Sequence, residues 1–260
     1  MQMEVHTYPS VSVVIPTRNE ALNLPHILPE IPTIVTEVVL VDGHSTDNTI
    51  AVARELRPDI RILTQQGRGK GDAMRAGFAA CTGDIIVMLD ADGSAHPAEI
   101  TLFVEALMND YDFAKGSRFL KGGGSHDLTW LRAIGNFGLC QFTNILYGRR
   151  FSDLCYGYNA FWRYCLESVE LDCTGFEIEA QLCLRMHKAH YRIVEVPSIE
   201  HQRIHGESNL RTFPDGWRVL KTILKEFLSR NKQSGLTKRS PRRHIQHTEI
   251  EIPTTEGIGI

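Results

Sequence analysis

The chain has 260 residues, 42% hydrophobic and 23% charged, which is long enough for a substantial core and ordinary for a soluble globular protein. A net charge of −3 gives no bulk case for nucleic acid as a partner, and no apolar run approaches the roughly 18–20 residues of a membrane span. Six cysteines without CxxC spacing argue against a zinc site and read as reduced thiols of a cytoplasmic protein; the start, Met1 to Ser10, lacks the basic and apolar segments of a signal peptide.

In chain order, Val11-Ser12-Val13-Val14-Ile15 predicts a strand stopped by Pro16, and residues 21–28 predict a short helix after Asn19-Glu20. Residues 37–41 predict a second strand ending at Asp42-Gly43. Asp47 can cap a helix over 49–56, with Pro58 beyond its end. A shorter strand at 60–63, a helix at 73–81 and a strand at 85–89 continue the alternation. Nearly all-apolar strands in this rhythm imply an α/β fold with a mostly parallel sheet covered on both faces. In such sheets ligands bind beyond the carboxyl ends of the strands. Arg18, Asn19, Glu20, Asp42 and Asp90 sit at those ends and are expected to converge on one crevice.

The second half is less regular. Asp112-Phe113-Ala114 is strand-like and runs into Lys115-Gly116-Ser117-Arg118-Phe119, and Gly122-Gly123-Gly124 reads as a mobile loop. Residues 128–147 predict a long helix with Arg132, Asn136, Gln141 and Asn144 as polar interruptions, 175–186 another helix, and 191–196 a strand ended by Pro197. Trp217, Leu220, Leu224 and Phe227 form one face of a last helix. From Asn231 the composition turns polar and charge-mixed. The expected division is therefore an extension over 1–9, one domain over 10–230 and a disordered tail over 231–260.

The most informative segment is Ile85-Ile86-Val87-Met88-Leu89-Asp90-Ala91-Asp92-Gly93-Ser94. A buried strand here delivers two carboxylates one residue apart, on the same side if extension persists to Asp92. Two such carboxylates repel unless a positive charge sits between them. Hard oxygen ligands suit Mg²⁺ or Mn²⁺, an ion that completes its shell with waters and substrate phosphates. The bland reading is a pair of solvated loop acids. A competing reading is a haloacid dehalogenase-like phosphatase with Asp90 as nucleophile, although that motif normally opens its domain and here follows some 80 residues of α/β pattern.

Taken in order, Val14-Ile15-Pro16-Thr17-Arg18-Asn19-Glu20, Val41-Asp42-Gly43-His44-Ser45-Thr46-Asp47-Asn48-Thr49, Gly69-Lys70-Gly71 and Asp90-Ala91-Asp92 resemble the family 2 glycosyltransferases of GT-A fold. Gly116-Ser117-Arg118-Phe119, Asp153-Leu154-Cys155-Tyr156-Gly157-Tyr158, Gly175-Phe176-Glu177-Ile178-Glu179 and Arg203-Ile204-His205-Gly206-Glu207-Ser208-Asn209 resemble its polyprenyl-phosphate (dolichol-phosphate) mannose synthases. The resemblance covers about residues 10–228 and implies a C-terminal helical acceptor region.

It also implies roles. Pro16, Arg18, Asn19, Glu20, Asp42, Lys70, Asp90, Ala91 and Asp92 would hold a nucleotide-sugar. Asp90 and Asp92 would carry the cation that stabilises the departing nucleotide, and Arg118, Arg132, Arg203 and Ser208 would bind the acceptor. Asp92, Arg118 and Asp153 form the implied catalytic set. Many relatives have two consecutive acids at the position of Asp42-Gly43, and the Asn209 position is often lysine; this chain has neither. Gly-Lys-Gly is not a phosphate-binding P-loop, because no Ser or Thr follows the lysine.

A hydroxyl acceptor needs a general base, for which Asp153 is the candidate; a lipid phosphate is already ionised and needs arginine clamps instead. The favoured expectation is an inverting, metal-dependent transfer from GDP-mannose to a polyprenyl phosphate by a cytoplasmic enzyme in peripheral contact with the inner face of the membrane. UDP-glucose or UDP-GlcNAc with a soluble hydroxyl acceptor is the alternative, and a nucleotide-sugar-binding protein without turnover is a third reading.

Overall fold

A computed structural model describes residues 8–229; the expected tail over 231–260 and most of the extension over 1–9 lie outside them. The first half builds the predicted alternation: β1 (Val11–Thr17), β2 (Val35–Asp42), α1 (Thr49–Leu56), β3 (Arg61–Thr64), α2 (Lys70–Ala80) and β4 (Ile85–Met88). The cap of α1 is Asn48, without a side-chain bond, and not Asp47; the Asp47 carboxylate, one residue earlier, accepts the Thr49 N–H at 3.0 Å. Between β1 and β2 the expected helix is replaced by two 3₁₀ turns, Leu24–His26 and Leu28–Glu30. Pro25 explains the difference: inside the expected span it removes a backbone donor that an α-helix would need. β1 also passes through Pro16, which pairs with Val41 of β2 at a point where β4 no longer accompanies β1.

The remaining elements are α3 (Ile100–Met108), β5 (Phe113–Ser117), β6 (Gly124–Ser125), α4 (Trp130–Tyr147), β7 (Asn159–Trp162), α5 (Ile178–Lys188), β8 (Ile193–Pro197), β9 (Ile199–Glu200) and α6 (Thr212–Leu228). Gly122-Gly123-Gly124 is not a free loop, since β6 pairs with β9 in parallel register. Seven strands form the main sheet in the order β3-β2-β1-β4-β7-β5-β8. β7 is antiparallel to both its neighbours and the other strands run parallel.

Strand alternation divides the core between the faces. Val13, Ile15, Leu40, Ile85 and Val87 pack with Phe103, Val104 and Leu107 of α3 on one side. Val14, Val39, Val41, Ile86 and Met88 pack on the other with Met74 and Phe78 of α2, Leu182 and Met186 of α5, and Ile223 of α6. The parallel strands thus end on one edge of the sheet, and β7 begins there. Residues 18–20, 90–94, 118 and 155–158 are therefore brought together by topology alone.

Candidate active site

A cleft of about 1090 Å³ opens at that edge. Its walls include Pro16, Arg18, Glu20, Lys70, Asp90, Ala91, Asp92, Arg118, Arg132, Arg203 and Ser208, eleven of the residues singled out from the sequence. Three others do not line it. Asn19 turns its amide carbonyl away to accept the Thr46 N–H at 2.7 Å, and buried Asp42 accepts the Ser45 N–H at 3.2 Å, so both shape the loops behind the wall. Asp153 lies wholly buried beneath Arg118.

The Gly-Lys-Gly segment has a local reason visible in the backbone. Gly69 has φ +93° and precedes α2, so Lys70 is the first residue of that helix. The orphan N–H groups of Gly71 and Asp72 donate to the Thr174 carbonyl at 2.9 and 3.3 Å. A side chain at Gly71 would put Cβ 2.5 Å from the Cys173 carbonyl oxygen. The glycines thus let the helix start abut residues 173–175, and Lys70 is thrown into the cleft.

There its ammonium meets both oxygens of Asp90 at 2.7 and 2.8 Å and Glu179 at 2.6 Å. Burial works against the charge of Lys70, but the two carboxylates outweigh it and hold the ammonium above the ordinary lysine value. Glu179 moves upward: burial dominates, Lys70 opposes it, and the charge of Asp90 adds to it. Gly157 closes this triad, because a Cβ there would lie 2.7 Å from Lys70 Nζ, 2.8 Å from Glu179 Oε1 and 2.9 Å from Asp90 Oδ2. Gly157→Ala is expected to cost about 1–3 kcal/mol and to weaken nucleotide binding, seen as a lower thermal midpoint and a smaller nucleotide-induced shift. An unchanged shift would mean that the triad does not shape the nucleotide site.

A second ionic bridge crosses the cleft. Arg203 donates to Glu20 at 3.0 Å and to Asp92 at 2.8 Å. The other Asp92 oxygen accepts the N–H and hydroxyl of Ser94 at 2.9 and 2.7 Å, which fixes the turn after the acidic motif. Burial raises the Glu20 carboxyl above its usual range and the charge of Asp92 adds to the rise, while the Asn23 amide and Arg203 pull the other way. Arg203, assigned by resemblance to the acceptor, therefore contacts two residues assigned to the donor.

The third cluster carries the acceptor-side arginine. Arg118 grips Asp153 in a fork, Nε to Oδ2 at 2.7 Å and Nη2 to Oδ1 at 3.1 Å, and reaches Glu200 at 3.0 Å. Its guanidinium also stands 4.9 Å from the Tyr156 ring centre. Burial favours neutral Asp153, but Lys115 and Arg118 overturn that and hold the carboxyl below its usual range. A carboxylate that is buried, forked by an arginine and depressed in pKa is a poor proton acceptor. What the geometry shows is that Asp153 holds Arg118 through both of its oxygens. Arg132 reaches the Leu210 carbonyl at 3.0 Å, and Ser208 Oγ accepts the Leu210 N–H at 3.3 Å.

Asp90 is a third exposed at the cleft and Asp92 is partly exposed, but Lys70 and Arg203 engage their oxygens here, so a cation would have to share or displace those contacts. Among the described residues no group of three His, Cys, Asp or Glu side chains could hold a metal. Two hard carboxylates suit Mg²⁺ or Mn²⁺ only where a diphosphate and water supply the remaining ligands.

Sequence reasoning missed Glu200, the second partner of Arg118, because nothing local marks an acid on a two-residue strand. It also named Glu179 without its partner Lys70, which lies 109 positions away.

The sheet, with its acidic motif after β4 and one reversed strand, is that of the GT-A transferases. Glucosyl-3-phosphoglycerate synthase from Mycobacterium tuberculosis, solved with Mn²⁺, UDP and glucosyl-3-phosphoglycerate, superposes with a TM-score of 0.66 at 24% identity, over 84% of this chain and 80% of that one. Residues 12–169 match glycosyl transferase family 2, and the chain belongs to that family. A dolichol-phosphate mannosyltransferase of Pyrococcus furiosus is 32% identical over 210 residues, 77% of this chain and 59% of its own length. A dolichyl-phosphate hexose transferase of Haloferax volcanii is 30% identical over 227 residues, 86% of this chain and 96% of its own length. The phosphatase reading of Asp90 falls with the family assignment. No helix among the described residues is long and apolar enough to cross a membrane.

Proposed function

We propose that the protein transfers a hexose, with inversion, from a nucleotide-sugar to a polyprenyl phosphate, GDP-mannose being the favoured donor. The observation that carries this reading is the state of the cleft's acids. Glu20, Asp90, Asp92, Glu179, Glu200 and Asp215 line it, and each is engaged by a cation or a backbone donor. Among the described residues, Asp127, exposed at the rim, is the one lining acid without such an engagement, and His44 is the one histidine of the lining. A cleft poor in free bases suits an acceptor that arrives already ionised.

In the proposed reaction a phosphate oxygen of the acceptor attacks the anomeric carbon from the face opposite the nucleotide. The new C–O bond forms as the old one breaks, and the nucleoside diphosphate leaves with the electron pair. No proton has to be moved. Arg118, fixed by Asp153 and Glu200, and Arg132 supply positive charge for the acceptor phosphate. Asp90 and Asp92 would hold Mg²⁺ or Mn²⁺, which when bound offsets charge on the departing diphosphate. The names of the two lipid-linked relatives support the acceptor class, and the hexose transferase spans nearly its whole length on this chain. Contact with a membrane surface is part of the same proposal, because the acceptor resides there.

The test combines a thermal-shift panel of GDP, UDP and their sugar conjugates, with Mn²⁺ and with chelator, and transfer assays on polyprenyl phosphate and soluble alcohols. Asp127→Asn is expected to leave transfer to the phosphate acceptor unchanged, whereas loss of a general base would cost about 10²–10⁴-fold. Arg132→Ala is expected to raise the acceptor KM by about ten- to a hundredfold with little change in donor affinity. Transfer to an alcohol but not to the lipid phosphate would overturn the reading.

A further inference from the structure

From the arrangement around α4 we infer that the isoprenoid chain of the acceptor lies along the outer side of this helix, in the groove between α4 and residues 148–152. This deepens the proposed function and rests on it. The groove has a volume of about 820 Å³; Phe119, Phe137, Ile145 and Phe151 give it an apolar side, and Arg149, Arg150 and Glu195 a charged one.

Two features join it to the cleft. Asn136 lines both, and Arg118 of the cleft wall is followed directly by Phe119 of the groove. Arg132 stands one turn before Asn136 on α4, facing the cleft. A phosphate held by Arg118 and Arg132 thus has a path past Asn136 for whatever is attached to it.

Asn136 itself is unusual. It is buried, its carbonyl oxygen accepts the N–H groups of Leu154 and Cys155 at 3.3 and 3.2 Å, and its Nδ2 has no hydrogen-bond partner. Its carbonyl side thus ties α4 to residues 154–155 and fixes the wall at the junction of cleft and groove.

The helix beyond it has the composition of a surface meant to be covered. Arg132 is its only charged residue in eighteen, and Ile134, Phe137 and Ile145 are 60%, 63% and 80% exposed. An α-helix that is apolar on its outer as well as its inner side calls for an apolar partner. Continuity with the cleft makes the acceptor's own chain that partner.

The experiment compares transfer to a long-chain polyprenyl phosphate, dispersed in detergent, with transfer to geranyl phosphate, using GDP-mannose, UDP-glucose and UDP-GlcNAc in turn as donor. Phe137→Gln and Ile145→Gln change exposed side chains and leave the fold intact, which the unfolding midpoint checks. Each is expected to lower kcat/KM for the long chain about tenfold, mainly through KM, while geranyl phosphate is used as by the wild type. Equal effects on both acceptors, or on neither, overturn the inference. So does loss of vesicle binding with unchanged use of the detergent-dispersed chain, which would assign the face to the bilayer. A change in oligomeric state with unchanged acceptor use would assign it to a second copy and overturn it likewise. If the wild type glycosylates neither phosphate, the functional reading itself fails; if it uses both and the variants do not discriminate, only the groove fails.

Discussion

Asp153→Asn is expected to lower the stability of the protein by about 3 kcal/mol, a drop of roughly 6–12 °C in the unfolding midpoint for a chain of this size. The substitution is nearly isosteric, so no cavity contributes. What changes is the electrostatics: the buried Arg118 guanidinium loses a forked partner that meets it through two bonds. Glu200 remains at 3.0 Å, which places the expected loss at the lower end of what an orphaned buried charge costs. An amide can still accept one bond from Arg118, but its NH₂ group faces a second guanidinium donor. Loss of transfer activity should follow, because the arginine that faces the acceptor is no longer held. A variant as stable as the wild type but inactive would instead return Asp153 to the role of general base.

The same pair fixes the sign of a pH effect. Folding lowers the Asp153 pKa through Lys115 and Arg118, against the opposing influence of burial. A depressed carboxylate contributes stability in full above its unfolded value of about 4 and loses it as pH falls through the lower folded value. The difference in midpoint between wild type and Asp153→Asn should therefore be constant at neutral pH and shrink only in strong acid. Denaturant melts of both proteins across the acid range measure it. A difference that shrank near pH 6–7 would require a raised pKa and contradict the geometry.

What the sequence made legible follows from the range of the forces involved. The strands were readable because a sheet covered on both faces needs continuous apolar runs, and residues 11–15, 37–41 and 85–89 supply them. Topology then brought Arg18, Glu20 and Asp90 to one edge without any side-chain detail. β7 escaped notice because four residues, Asn159-Ala160-Phe161-Trp162, carry too little pattern, and its direction is set by neighbours far along the chain. α3 was a different kind of miss. Ile100, Phe103, Val104 and Leu107 have helical spacing and pack on the core, so this element is legible from the sequence pattern. Roles that depend on partners were least accessible. Nothing near Asp153 in sequence says that Arg118, 35 positions away, will occupy both its oxygens, or that Arg203 will reach Glu20 across 183 positions.

Asp92→Ala is expected to abolish metal-dependent nucleotide binding, with affinity falling by at least about a hundredfold, while the fold survives. The two oxygens of Asp92 do different work. One fixes the Ser94 turn and the other holds Arg203. Removal of the side chain leaves Arg203 its bond to Glu20, so no buried cation is orphaned and the midpoint should fall by only a few degrees. Removal also leaves Asp90, itself held by Lys70, as the sole carboxylate of the Asp90-Ala91-Asp92 motif. Arg203→Ala separates the two effects: it takes away the same cross-cleft bridge and leaves both acids in place. The nucleotide-induced thermal shift in Mn²⁺ should vanish in Asp92→Ala and persist, reduced, in Arg203→Ala. Because Arg203 touches Glu20 and Asp92, its loss should weaken donor more than acceptor. Unchanged nucleotide affinity of Asp92→Ala in Mn²⁺ would remove the metal from this site, and a purely acceptor-side defect in Arg203→Ala would show that the bridge to Glu20 is dispensable to donor binding.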